Sequence, residues 1–149
     1  MKMSLLLLTA VVCSCTSQNP SSDRPTPEAS EFFADYVKND GPSPDTLSVF
    51  LSACRGDLTS LDAIFSDYKR FGSGDSEAWG DVPDVFLAEL GDQRFSSYAS
   101  RQSLARRITV LKWLGVPGTS LFEDLELRKC YPKTASLQED VFISHPVSN

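Results

Sequence analysis

The sequence predicts an all-α protein: a small helical bundle of about five or six helices containing helical-hairpin, solenoid-like repeats. Three observations predict it. Apolar residues recur at spacings of three and four along most of the chain, the periodicity of a helix and not the alternation of a strand. Glycine or proline punctuates each of these segments. Finally, Val85-Phe86-Leu87 follows Val49-Phe50-Leu51 by 36 positions, and a Gly-Asp pair comes after each, Gly56-Asp57 and Gly91-Asp92.

The first helix is expected from Thr26-Pro27, an N-cap residue followed by proline at the first helical position. Phe32, Phe33, Tyr36 and Val37 then share one stripe, and Asn39-Asp40-Gly41 marks the end. Pro44-Asp45 announces a second helix with Leu47, Phe50, Leu51 and Cys54 on one side, stopped at Gly56. A third starts from Asp57 as N-cap, and Leu58, Leu61, Ile64, Phe65, Tyr68 and Phe71 carry it to Gly72. So short a turn makes the two helices a hairpin. The same grammar implies a second hairpin over Val85 to Asp92, returning near Phe95 and Tyr98. Its return continues as a helix from Arg101 to Leu114, with Leu104, Ile108, Leu111 and Leu114 buried and Gly115 as the stop. After Val116-Pro117-Gly118 a last helix is expected from Ser120 through Leu121, Phe122, Leu125 and Leu127, ending at Tyr131-Pro132 because proline restricts the residue before it. Ala135 to Asn149 is expected to be irregular or an extended arm.

At 149 residues the chain is sized for one domain. Its 20 acids against 14 bases give a net charge of −6, which repels phosphate backbones unless the bases cluster. They do not cluster along the sequence, since Arg101, Arg106, Arg107 and Lys112 are interleaved with apolar residues as on a solvated helix face. Nucleic acid is therefore not an expected partner.

The N-terminus carries an address. Met1-Lys2-Met3 is a short charged region, and Ser4 to Val12 is an apolar run too brief for a membrane span of about 20 residues. It ends in Val12-Cys13-Ser14-Cys15, which resembles the lipobox of bacterial lipoproteins, with Val12 at −3 and Ser14 at −1 from Cys15. Cys13 stands where alanine, serine or threonine is usual. The resemblance covers the first fifteen residues and implies cleavage after Ser14 and acylation of Cys15, palmitate being the usual acyl group. It also implies residence in the cell envelope, with Thr16 favouring the outer membrane, facing the periplasm. Residues 1–14 are then the signal peptide, and 15–26 the lipidated cysteine and a flexible tether free of apolar side chains. Residues 27–149 form the single helical domain. The body's repeated helix pairs resemble the units of HEAT or tetratricopeptide arrays, although two units fall short of the usual three.

Catalytic constellations are sparse. The single histidine, His145, lies four residues from the C-terminus, which excludes a histidine-based zinc site and offers no placed base for a triad. No cofactor or metal is expected. The segment Gly72 to Asp84, GSGDSEAWGDVPD, fails as a calcium loop because Trp79 and Phe86 occupy ligand positions. It reads instead as a long acidic loop, in which Trp79 folds back as a plug over the core or else joins Asp75, Glu77, Asp81 and Asp84 as a candidate partner-binding surface. Trp113 reads as structural. The function expected is therefore non-catalytic: an envelope lipoprotein that binds an unidentified protein, of which an inhibitor or immunity protein is one form. A hydrolase using paired carboxylates and a purely structural lipoprotein are the alternatives. Once the signal is removed and Cys15 acylated, Cys54 and Cys130 are the remaining thiols, and a disulfide between them is expected, against the reading of Cys54 as a small buried hydrophobe.

Overall fold

A computed structural model describes residues 24–39, 43–72, 77–115 and 120–144, and every regular element among them is helical. Helix α1 (Pro27–Asn39) begins as the sequence predicts, because the Thr26 hydroxyl oxygen accepts the Ala29 N–H at 3.2 Å and proline occupies the first helical position. It buries Ala29, Phe33 and Tyr36. Helices α2 (Thr46–Cys54) and α3 (Leu58–Ser66) form the expected hairpin. Gly56 makes the turn with a φ of +88°, open to glycine and strained for other residues. The Asp57 carboxylate then caps α3 by accepting the Ser60 N–H at 3.0 Å. A single turn, α4 (Tyr68–Phe71), follows.

Beyond it the segment read as a loop is largely helix. Helix α5 (Glu77–Ser100) starts well before Val85 and is broken at Gly91, whose φ of 72° and ψ of 164° divide it into two helices meeting at a corner. Helix α6 (Leu104–Leu111) is shorter than the expected span from Arg101 to Leu114. Ser103 caps its start, accepting the Arg106 N–H, and the chain turns off toward Gly115. Likewise α7 (Leu125–Cys130) starts later than Ser120, because Asp124 accepts the N–H groups of Glu126 and Leu127 at 2.9 and 3.0 Å. The expected irregular C-terminal arm is instead a thirteen-residue helix, α8 (Pro132–Ser144), packed against α5, α6 and α7. Pro132 ends nothing here except the residue before it. It occupies the first position of the next helix, where a missing N–H costs nothing.

The core is aromatic. Phe33 of α1 stacks on Phe50 and on Phe86, with ring centroids 4.7 and 5.3 Å away. Phe50 and Phe86, the central residues of the two Val-Phe-Leu segments, are themselves 6.4 Å apart. Rings in such geometry contribute about 0.5–1.5 kcal/mol per pair beyond their burial. Phe65 extends the cluster toward Trp79 and Tyr98, and the Tyr36 hydroxyl donates to the Phe71 carbonyl at 3.0 Å, satisfying a buried polar group. The flank of this core includes Cys54, 5% exposed and free. The expected Cys54–Cys130 bond is thus not formed. Cys130 is disulfide-bonded, but not to Cys54. Burial pushes the Cys54 thiol far up, so it is inert as a nucleophile and fills space like a small hydrophobe.

Candidate functional site

The residues singled out in the sequence scatter in the structure. Cys15, Asp75 and His145 lie outside the described residues, and Glu77 opens α5. Trp79 is 5% exposed, edge-on to Phe65 at 6.4 Å, and so serves the core and not an interface. The other tryptophan shows the reverse: Trp113, expected to be structural, is 44% exposed, with the Lys112 ammonium 4.7 Å from its ring. The physical reason is the helix register. Spacings of three and four residues along α5 place Trp79 inward with Val82 and Phe86, whereas Trp113 follows the end of α6, past its buried row.

Three acids of α5 accept backbone N–H groups from other segments. Asp84 Oδ1 accepts the Gly115 N–H at 3.1 Å. Glu89 accepts the Thr26 N–H at 3.0 Å and its hydroxyl, and Asp92 accepts the N–H groups of Lys133 and Thr134 at 3.0 and 2.8 Å. One helix thereby fastens the starts of α1 and α8 and the turn after α6. Burial pushes the Asp84 carboxyl up to about 7; the Gly115 N–H works against this and the nearby Asp81 adds to it. Asp81 is raised as well, again by burial. A raised carboxyl beside a second one is what a general acid requires, but here the first is engaged with a backbone amide.

An open feature of the described surface lies elsewhere. A groove of about 570 Å³ runs between the α2–α3 turn with α3 on one side and the second half of α5 on the other. Neither Asp81 nor Asp84 lines it. Leu58, 49% exposed, and the ring of Tyr98 supply its apolar wall. Asp62 sits within it, accepting from the Tyr98 hydroxyl at 3.1 Å and from the Gln102 amide at 3.3 Å, with Arg106 at 3.8 Å. Burial, reinforced by the Asp62 charge, raises the Tyr98 phenol, so the hydroxyl stays a donor.

Arg94 and Arg101 line the groove from α5 and the residue after it. Arg94 reaches across to donate to the Arg55 carbonyl at 3.3 Å. That reach depends on Gly56, since a Cβ there would come within 2.3 Å of the Arg94 Nη2 atom. Among the described residues Arg55, Arg94 and Arg101 are exposed and form no ion pair. By contrast Arg107 is consumed internally, donating to the carbonyls of Ser100 and Gln102 at 2.7 and 3.2 Å and closing the end of α5. The sequence showed no cluster of bases because Arg94 and Arg101 are seven positions apart and are brought to one wall only by the fold.

No group of His, Cys, Asp and Glu among the described residues is arranged to hold a metal ion, and no described helix is long and apolar enough to cross a membrane. No protein-family model, curated protein or solved structure matches the chain.

Proposed function

We propose that this chain is a lipid-anchored protein of a bacterial envelope, held through Cys15 at the outer membrane and facing the periplasm, whose helical body works without catalysis by binding another protein. An inhibitor or immunity protein is the form of binder favoured, since a small tethered domain suits blocking an enzyme. The anchor is supported by the order of apolar run, Val12-Cys13-Ser14-Cys15, and a tether without apolar side chains. The observation that carries the binding role is the groove between α3 and α5, where an apolar wall meets Arg94 and Arg101, neither of which forms an ion pair among the described residues. It replaces the acidic segment as the partner surface, because Trp79 is buried and Asp84 is held by Gly115.

Intact-mass analysis of the protein expressed in a bacterium tests the anchor. The expected mature chain begins at Cys15 with a diacylglyceryl thioether and an N-acyl group, and Cys15→Ala abolishes both. The spectrum also bears on Cys130. A thioether sulfur cannot join a disulfide and processing removes Cys13, so the anchor requires that the Cys130 disulfide of the unprocessed chain be absent from the mature one, with Cys130 reduced to a thiol. An unprocessed N-terminus bonded to Cys130 overturns the anchor. For the binding role, a photo-crosslinker at Ser97 in the groove is expected to give one discrete adduct in cells, and one at the exposed Ser136 of α8 none. Equal or absent labelling at the two positions overturns it.

A further inference from the structure

We infer that the groove between α3 and the second half of α5 binds an acidic peptide segment, taken in extended form with its carboxylates on Arg94 and Arg101. The inference rests on the reading of this groove as the partner surface and names the chemistry of the partner. A chain carrying −6 overall has placed Arg94 and Arg101 on the wall of one concavity, neither of them in an ion pair among the described residues. Elsewhere its arginines are occupied: Arg70 with Asp45, Arg128 with Glu139, Arg107 with carbonyls. Positive charges left uncompensated on a concave wall form a local field that attracts an anion.

The shape of the site selects a peptide over a compact phosphate. Arg94 and Arg101 are seven positions apart on one face, about 10 Å along the helix axis, so they do not converge on a single oxyanion. On a chain extended as polyproline II, with three residues per turn, carboxylates three residues apart share one face and are separated by about 9 Å. Asp62 repels a small dianion; its Oδ1 is taken by the Tyr98 and Gln102 side chains, which leaves Oδ2 to accept a backbone N–H, and Gln93, bonded once to Ser97, keeps an N–H for a carbonyl. Leu58 and Tyr98 give intervening side chains an apolar floor. Arg94 is also preorganised: Gly56 leaves room for its guanidinium over the turn, where the Arg55 carbonyl holds it.

Fluorescence anisotropy with the full-length protein tests this, the probe being a dye-labelled, end-blocked decapeptide with glutamate at every third position among alanines. Saturable binding is expected at low salt, weakened at least tenfold by Arg101→Glu and abolished by Arg94→Glu with Arg101→Glu. Arg128→Glu, on α7, is expected to change it less than twofold. The same peptide with lysine for glutamate should not bind. No saturable binding, or an equal effect of Arg128→Glu, overturns the inference. Competition by inorganic phosphate, or by vesicles containing phosphatidylglycerol, at concentrations matching the peptide also overturns it, in favour of a free anion or a lipid headgroup. If the charge reversals unfold the protein, the milder Arg101→Gln and amide shifts of Ser97 and Gln102 in the wild-type NMR spectrum decide: shifts confined to the groove support it, and shifts absent there refute it. The crosslinking test does not depend on the partner's charge, so an adduct at Ser97 without acidic-peptide binding would sink this inference and leave the binding role standing.

Discussion

The amide of Gln138, 1% exposed, joins three segments that are far apart in the chain. Its nitrogen donates to the carbonyls of Leu111 and Leu114 at 2.7 and 3.1 Å, and its oxygen accepts the Phe122 N–H at 3.3 Å. The bonds satisfy backbone groups left open where α6 ends and where the chain approaches α7. Replacing Gln138 by leucine keeps the volume but removes these partners, and buried unpaired groups cost about 1–3 kcal/mol each. Gln138→Leu is therefore expected to lose roughly 2–4 kcal/mol in urea denaturation. Gln138→Glu is expected to lose more at neutral pH, because a carboxylate cannot donate, and to recover part of the loss in acid. A loss below about 0.5 kcal/mol for both would show that the amide does not bear on stability. No sequence signal marks Gln138, since a glutamine among polar and apolar neighbours reads as surface. The two tryptophans were open to misreading in the same way: their environments depend on what stands opposite them.

At the level of elements, the C-terminal helix shows how far capping can act. Pro132 supplies the first helical position locally, but the carboxylate that accepts the next two N–H groups belongs to Asp92, at the corner of α5 forty residues upstream. Gly91 makes that corner possible with its positive φ and thereby aims Asp92 outward along α8. A carboxylate at a helix N-terminus also meets the positive end of the helix dipole. Asp92→Ala is expected to cost about 1 kcal/mol and to speed hydrogen exchange in α8 while leaving α1 to α3 protected. Asp92→Asn keeps an acceptor and should cost less. Uniformly faster exchange across all helices would mean the cap is not local to α8. The helices with their own caps, α1 from Thr26 and α3 from Asp57, were legible in the sequence; α8 was not, because its cap is supplied by the fold.

For the whole molecule, charge determines how stability responds to pH. Asp84 ionises near 7 in the folded protein, against about 3.9 in an unfolded chain. The folded state therefore holds an extra proton between roughly pH 4 and 7, and stability falls as pH rises through that window. Asp45 and Asp57 shift the other way, lowered first of all by side-chain hydrogen bonds from Ser43 and Ser60. Their contribution is present above about pH 4 and is lost only below it. The two windows are separate, so maximal stability is expected near pH 4–5, unusually acidic for a globular domain. Asp84→Asn keeps an acceptor for the Gly115 N–H and removes the charge. It is expected to flatten the curve between pH 5 and 8 and to raise stability at pH 8 by on the order of 2 kcal/mol. A wild-type curve that climbs from pH 5 to 8 would show that Asp84 ionises freely.

The sequence by itself determined the all-α class, the α2–α3 hairpin, the start of α1 and most of the aromatic core, because periodicity, glycine turns and neighbouring caps are interactions within a few residues. It also carried the N-terminal motif on which the envelope reading depends. What only the tertiary structure decided is which polar groups face inward and which surfaces stay open. Asp84, Glu89 and Asp92 became anchors for distant backbone amides, Cys54 became a core residue without a sulfur partner, and Arg94 and Arg101 came to face α3 across one groove. Each of these depends on pairing residues about 30 to 60 positions apart, and a distance of that kind is set by how helices pack and not by any local propensity.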